Sequence, residues 1–114
     1  MAEIWPRTIA IDGVPRPVRL VFRSRLLRHF AIGGIVLSAS TIRFKRSPAE
    51  IPRRLVAHEI GHVLQAKRLG WRYLPTYLFN RAAMEAEAHD LGHRLDAGQL
   101  AGVTRPVWLD RFGR

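Results

Sequence analysis

The sequence predicts an α+β fold, in which a small, mostly antiparallel sheet packs beside a two-helix layer. Short β-type segments crowd the first 44 residues, and two segments with helical periodicity follow them. The 114 residues, 47% of them hydrophobic, suffice for a single domain over 1–114 with one modest core. The chain has no cysteine, so any metal site must use His, Glu or Asp.

The first part of the chain predicts two hairpins. They are expected over residues 7–23 and 34–44, with turns at Asp12–Gly13 and Ala39–Ser40. The segment 24–30 is ambiguous and is compatible with a short helix.

A long central helix is predicted after the strands. A capping-box pattern occupies 47–50, but the ring of Pro52 would meet the carbonyl four residues earlier in a continuous helix. We therefore expect a separate turn over 48–51 and the main helix from about Pro52 to Leu69, ended by Gly70. Apolar residues on most sides of this helix predict a buried position.

A second helix is predicted from Arg81 to about Asp96, with Asn80 at its N-cap and Gly98 near its end. The aromatic-rich segment 71–79, broken by Pro75, is expected to be an ordered connection that covers part of the molecule. Four apolar residues at helical spacing form the predicted core-facing stripe of the second helix: Met84, Ala88, Leu91 and Leu95. In the tail after 102, Val107–Leu109 is expected to be a docked extended segment.

The most informative motif lies inside the main helix, where residues 58–62 read His-Glu-Ile-Gly-His. Two histidines four positions apart lie on one helix face, about 40° apart and one turn along the axis. His58 and His62 can therefore bind one metal ion, and Glu59 can take a proton from a water molecule beside it. The pattern predicts a catalytic zinc site.

The third ligand of such a site is expected on the second helix, since hydrolytic zinc usually has three protein ligands. Glu85 and His89 lie four apart on one face, next to the apolar stripe. Glu87 is turned about 160–200° away from Glu85 and is expected to face solvent. Asp90 precedes Arg94 by four residues and fits a surface ion pair. Glu85 is the preferred third ligand, and His89 is the main alternative.

The HExxH helix, followed by Glu-Ala-Glu-Ala-His at 85–89, resembles the gluzincin arrangement. In size and layout the chain is similar to the minigluzincins and to short uncharacterised bacterial and phage HExxH domains, in which a strand precedes an Ala-His-Glu-x-x-His-Val-x-Gln helix. The resemblance covers roughly residues 34 to 95 and implies that Glu85 binds zinc. His89 stands where those families often place an Asp that supports a zinc histidine, so its role is open. No His follows at the metzincin spacing.

The resemblance implies a zinc-dependent peptidase acting on a peptide or protein. Zinc would be held by His58, His62 and Glu85, and Glu59 would carry the water proton to the leaving amine. Side chains available to stabilise an oxyanion are Tyr73, Tyr77 and His93.

An extended substrate is expected to pair with Thr41–Phe44 as an edge strand, because that segment leads into the metal helix. The segment 71–79 would then be either the opposite wall of the cleft or plain core cover. If the tail covered that strand, Val107–Leu109 would be the candidate plug of a latent form.

Two other function classes are compatible with the sequence. One is a non-catalytic or weakly catalytic structural or assembly protein of a phage or secretion particle, which keeps the zinc-binding fold. The small size favours it, and the intact Glu59 argues against it. The other is a nucleic-acid-associated protease, supported by charge alone.

The formal net charge of +10 would attract polyanions without choosing among them. An arginine-rich solvated surface is the simpler explanation, and no nucleic-acid-binding motif accompanies the charge. The start of the chain shows no signal-peptide pattern, and no apolar run is long enough to span a bilayer. The expected location is cytoplasmic or particle-associated.

Overall fold

The computed structural model describes residue 5, residues 7–27 and residues 33–113 of the chain. It confirms the α+β class, with a four-stranded mixed sheet packed against helices. The strands are β1 (Thr8–Ile9), β2 (Val18–Val21), β3 (Gly34–Ser38) and β4 (Thr41–Phe44), and the helices are α1 (Arg53–Leu69), α2 (Tyr73–Phe79) and α3 (Arg81–Asp96). Short 3-10 turns occupy Pro48–Glu50, Gly70–Arg72 and Val107–Arg111.

Both predicted hairpins are present, since β1 pairs antiparallel with β2 and β3 pairs antiparallel with β4. The sheet order is β1-β2-β4-β3, because β2 and β4 pair in parallel, with Leu20 opposite Ile42. The expectation that Thr41–Phe44 is an open edge is therefore wrong. Ile42 and Phe44 are fully buried, and β4 has a neighbour on each side. The edge strand that packs against α1 is β3.

Helix α1 matches its prediction closely. Pro52 is its N-cap, and Gly70 ends it by donating its N–H to the carbonyl of Ala66. The turn at Pro48–Glu50 is separate, as expected. The reciprocal capping box is not formed, because the Ser47 hydroxyl bonds the carboxylate of Glu50 at 3.0 Å instead of a main-chain N–H. The apolar side chains of α1 pack between the sheet and α3.

The segment 71–79 is helical, although the sequence predicted only an ordered connection broken by Pro75. Pro75 lies in the first turn of α2, where a missing N–H costs no helical hydrogen bond. Tyr73 is buried, but Trp71 and Phe79 are 86% and 87% exposed, so most of their surface faces solvent. Asn80 occupies the N-cap of α3 as predicted, without a side-chain hydrogen bond to the first turn.

The tail docks onto the core, but it is a 3-10 turn and not an extended segment. Leu109 is fully buried, and Phe112 is 3% exposed. Gly113 pairs with Pro52, and its carbonyl accepts the N–H of Arg53. The tail therefore packs at the start of α1. A cleft lies beside His58 and His62, and no described residue of the tail lines it, so the tail is not a plug of that cleft.

The ambiguous segment 24–30 falls partly outside the described residues. Within them, the N–H of Leu27 donates to the carbonyl of Ser24 at 3.2 Å, which makes a turn at this point. No helix in the described part of the chain is long and apolar enough to cross a membrane.

Candidate metal centre

Within the described residues, one group of side chains can hold a metal ion, and it consists of His58, His62 and Glu85. Nε2 of His58 lies 3.0 Å from Oε2 of Glu85, and Nε2 of His62 lies 2.8 Å from Oε1 of the same carboxylate. The ligand atoms all lie within 4.8 Å of one another, so a single ion can reach all three. His89 does not belong to this group.

Glycine residues bring α1 and α3 close enough for this arrangement. A Cβ atom on Gly61 would overlap the main-chain carbonyl of Ala88, and one on Gly92 would lie 2.5 Å from the carbonyl of Ala57. The two helices therefore touch through their main chains. This contact sets the helix separation at which the carboxylate of Glu85 reaches both histidines.

Gln65 is a further residue of the site, and the sequence analysis did not assign it a role. Its Nε2 donates to the main-chain oxygen of Met84 and to Oε1 of Glu87, both at 2.9 Å. Its Oε1 therefore faces Nδ1 of His62, at 2.8 Å. Because an amide oxygen only accepts, the proton lies on Nδ1 of His62. The available signal was a polar residue on the buried side of α1, three positions after His62.

This orientation fits a metal ion. With its proton on Nδ1, a neutral His62 ring directs the Nε2 lone pair at Glu85. Burial lowers the pKa of His62, which favours the neutral ring. Two lone pairs 2.8 Å apart repel, so either a metal ion or a proton shared by the nitrogen and the oxygen would stabilise this contact. Two imidazoles and one carboxylate suit zinc and other divalent ions that accept nitrogen and oxygen donors.

Glu59 lies beside this group and is only 3% exposed. Burial, and then the negative charge of Glu85, raise the pKa of Glu59 to about 8. A Cβ on Gly34 would lie 3.2 Å from Cγ of Glu59, so β3 runs directly against this side chain. A carboxyl group with a pKa near neutrality can exchange a proton with a reacting group at physiological pH.

A cleft of about 470 Å³ opens over these residues. Strand β3 forms one wall, and α2 contributes the opposite wall through Leu74, Tyr77 and Leu78. The hydroxyl of Tyr77 donates to Oε1 of Glu85 at 2.9 Å. Although burial opposes it, the hydrogen bonds from Tyr77 and His58 hold the pKa of Glu85 below its ordinary value. The cleft therefore joins the metal-binding group to the edge of the sheet.

The free side of β3 carries main-chain groups that can bind an extended chain. The N–H of Lys45 donates to the carbonyl of Gly33 at 3.0 Å. Because hydrogen-bonded pairs alternate along antiparallel strands, Gly34 and Val36 direct their N–H and C=O groups away from β4. Tyr73 uses one of them, since its hydroxyl donates to the carbonyl of Val36 at 3.0 Å.

The three expected oxyanion donors are thus separated by the fold. Tyr73 and Tyr77 line the cleft, whereas His93 lines a second cavity of about 300 Å³ between α1 and α3. His89 lines that second cavity too, and its ring centre lies 6.2 Å from that of His58. Leu55 and His58 line both cavities.

Two further residues of α3 were predicted to be on the surface. Asp90 and Arg94 form the expected ion pair, at 3.0 Å. Glu87 does not simply face solvent, because its carboxylate binds Arg68 of α1 at 2.7 Å as well as Gln65. The prediction for Glu87 considered its angle to Glu85 and missed the length of its side chain, which reaches back to α1.

No protein-family model matches this chain, and no curated protein or solved structure is significantly similar to it.

Proposed function

We propose that this chain is a zinc-dependent peptidase. The observation that carries the proposal is the convergence of His58 and His62 on the two oxygens of Glu85, with Glu59 buried beside them. A His-His-Glu set with an adjacent carboxylate is the arrangement used by hydrolytic zinc sites. The zinc ion would polarise the scissile carbonyl and lower the pKa of the attacking water.

The side chains of the cleft then have distinct tasks. Glu59 accepts a proton from the attacking water and delivers it to the leaving amine. Its pKa is raised in the metal-free chain, and the positive charge of a bound zinc ion would lower it toward the range in which the carboxylate can accept that proton. Gln65 keeps Nε2 of His62 unprotonated and directed at the shared ion. The oxyanion donor would be Tyr73 or Tyr77, because both line the cleft whereas His93 lies in the other cavity. Either hydroxyl would exchange its present acceptor, Val36 for Tyr73 or Glu85 for Tyr77, for the oxyanion.

The substrate is an extended peptide that pairs with β3. The main-chain groups of Gly34 and the N–H of Val36 face away from β4, whereas the carbonyl of Val36 already accepts a hydrogen bond from Tyr73. Strand β3 also runs directly against Glu59. An exposed edge binds a peptide through main-chain hydrogen bonds, which hold its backbone in a fixed register. The scissile bond would thus lie beside Glu59 whatever most of the side chains of the substrate peptide are.

The deciding experiment compares zinc content and peptide cleavage for the wild type and Glu59→Gln. The amide keeps the shape but cannot accept the water proton, so turnover should fall at least about 10²-fold while bound zinc is unchanged. Glu50→Gln, at an exposed carboxylate outside the cleft, is the matched control and should remain active. Zinc binding without any cleavage by the wild type would instead support the structural or assembly role.

A further inference from the structure

A cluster of exposed apolar side chains surrounds α2. Trp71, Leu78 and Phe79 are 86%, 76% and 87% exposed, and Leu74 is 43% exposed. Trp71, Leu74 and Leu78 recur at intervals of three and four, which puts them on one side of this helical segment, with Phe79 adjacent. We call these four residues the α2 patch. Clustered exposed apolar residues of this size usually mark an interaction surface.

The charged residues of the chain segment that carries the α2 patch are all positive. No Asp or Glu occurs between Glu59 and Glu85, whereas Lys67, Arg68, Arg72 and Arg81 do. Arg68 is neutralised by Glu87. Lys67 and Arg72 form no ion pair with any residue that the structure describes, and Arg72 directly follows Trp71 in the chain. The surface thus combines an apolar projection with free positive charge.

We propose that the α2 patch inserts into the surface of an anionic lipid bilayer, with Lys67 and Arg72 binding the headgroups. This composition, with Trp, Phe and Leu beside Lys and Arg, is that of segments that lie in the membrane interface. Exposures of 76–87% mean that the side chains project outward and are not recessed. A projecting shape suits insertion between lipids.

Other macromolecules fit these observations less well. Protein-binding hot spots are enriched in Trp, Tyr and Arg and poor in Leu, whereas two of the four patch residues are leucines. Single-stranded nucleic acid uses aromatic platforms with basic residues, but Leu74 and Leu78 offer no stacking surface. The leucines add apolar area that only a lipid or protein environment would use. The proposal does not depend on catalysis or on a bound metal ion.

The test is sedimentation of the full chain with phosphatidylcholine vesicles, with and without phosphatidylglycerol. We expect binding only to the anionic vesicles, weakened by added salt. Trp71→Ser/Phe79→Ser, at two positions outside the cleft lining, should reduce the partition coefficient at least about tenfold. Lys67→Glu/Arg72→Glu should reduce it comparably. Val107→Ser, an 83% exposed apolar residue on the tail, is the matched control and should bind like the wild type.

Several results would overturn the proposal. Failure of the wild type to sediment with anionic vesicles at low salt would do so, as would equal binding to neutral vesicles. Binding that both double variants retain would mean that the general positive charge attracts lipid without the α2 patch. Self-association or oligonucleotide binding that is lost in Trp71→Ser/Phe79→Ser, without vesicle binding, would assign the patch to a second copy or to nucleic acid.

Discussion

The main chain of Gly61 lies directly against the carbonyl of Ala88, with no space for a side chain between them. Gly61 is an inner residue of the HExxH motif, and Ala88 lies three residues after Glu85. Together with the contact of Gly92 on Ala57, it sets the separation of α1 and α3, and so how closely the carboxylate of Glu85 approaches both histidines.

Gly61→Ala should destabilise the chain, because its Cβ would force the helices apart. At a solvent-exposed position inside a helix, replacing Gly by Ala stabilises the fold by up to about 1 kcal/mol. At Gly61 the overpacking should instead lower the free energy of unfolding by about 1–3 kcal/mol. Metal affinity should fall as well, because the histidines and Glu85 would separate. Ala86→Ser on the exposed side of α3 is the control. Urea unfolding and competition with a chelator measure both effects, and a more stable Gly61→Ala chain with full metal affinity would disprove the close contact.

Gln65→Leu should weaken metal binding about 10- to 100-fold, because nothing would then fix the proton of His62 on Nδ1. The exposed Gln99→Leu provides the matched control. Nitrogen chemical shifts of the His62 ring report the tautomer without reference to activity. An unchanged tautomer and metal affinity in Gln65→Leu would remove Gln65 from the site.

Glu59 should make the metal-free chain less stable as the pH rises. Its pKa is about 8 in the folded chain and ordinarily 4.5, so between these values the folded state holds a proton that the unfolded state releases. Raising the pH from 5 to 8 should therefore cost roughly 3–5 kcal/mol through this group. Glu59→Gln has no carboxyl group to titrate at this position. Its free energy of unfolding should therefore rise relative to that of the wild type between pH 5 and pH 8. Parallel stability profiles in chelator would contradict the raised pKa.

Zinc should raise the melting temperature of the wild type, because an ion shared by α1 and α3 binds the folded state selectively. His62→Ala and Glu85→Ala should lose most of this shift, together with the bound metal. His89→Ala, on the exposed side toward the second cavity, should retain both. If His89→Ala loses the metal while Glu85→Ala keeps it, the third ligand is His89.

Removing the residues after Gly102 should destabilise the chain without activating it. Leu109 and Phe112 are buried, and their loss should cost about 3–6 kcal/mol of burial energy. Thermal unfolding of the truncated chain measures this cost, and the exposed Val107→Ser gives the control. A truncated chain with an unchanged melting temperature and increased cleavage would restore the plug hypothesis.

The sequence by itself determined α1, α3 and the two hairpins, because these depend on local patterns, but it did not predict that α2 is a helix. Pro52 and Gly70 mark the ends of α1 through backbone sterics, and four-residue spacing puts His58 and His62 on one face. The same periodicity favoured Glu85, whose position next to the apolar stripe of α3 turns it toward α1.

Only the tertiary structure decided which strand is the edge, because the parallel pairing of β2 with β4 joins residues distant in the chain. Hydrophobic alternation reports which face of a strand is buried, and it carries no information about the neighbour of that strand. The same limit applies to Gln65 and Gly61. Their roles depend on what α3 presents at the crossing, which helical periodicity within α1 does not contain. The periodicity of a sequence shows which face of a helix or strand is buried, and only the tertiary structure shows which element packs against that face.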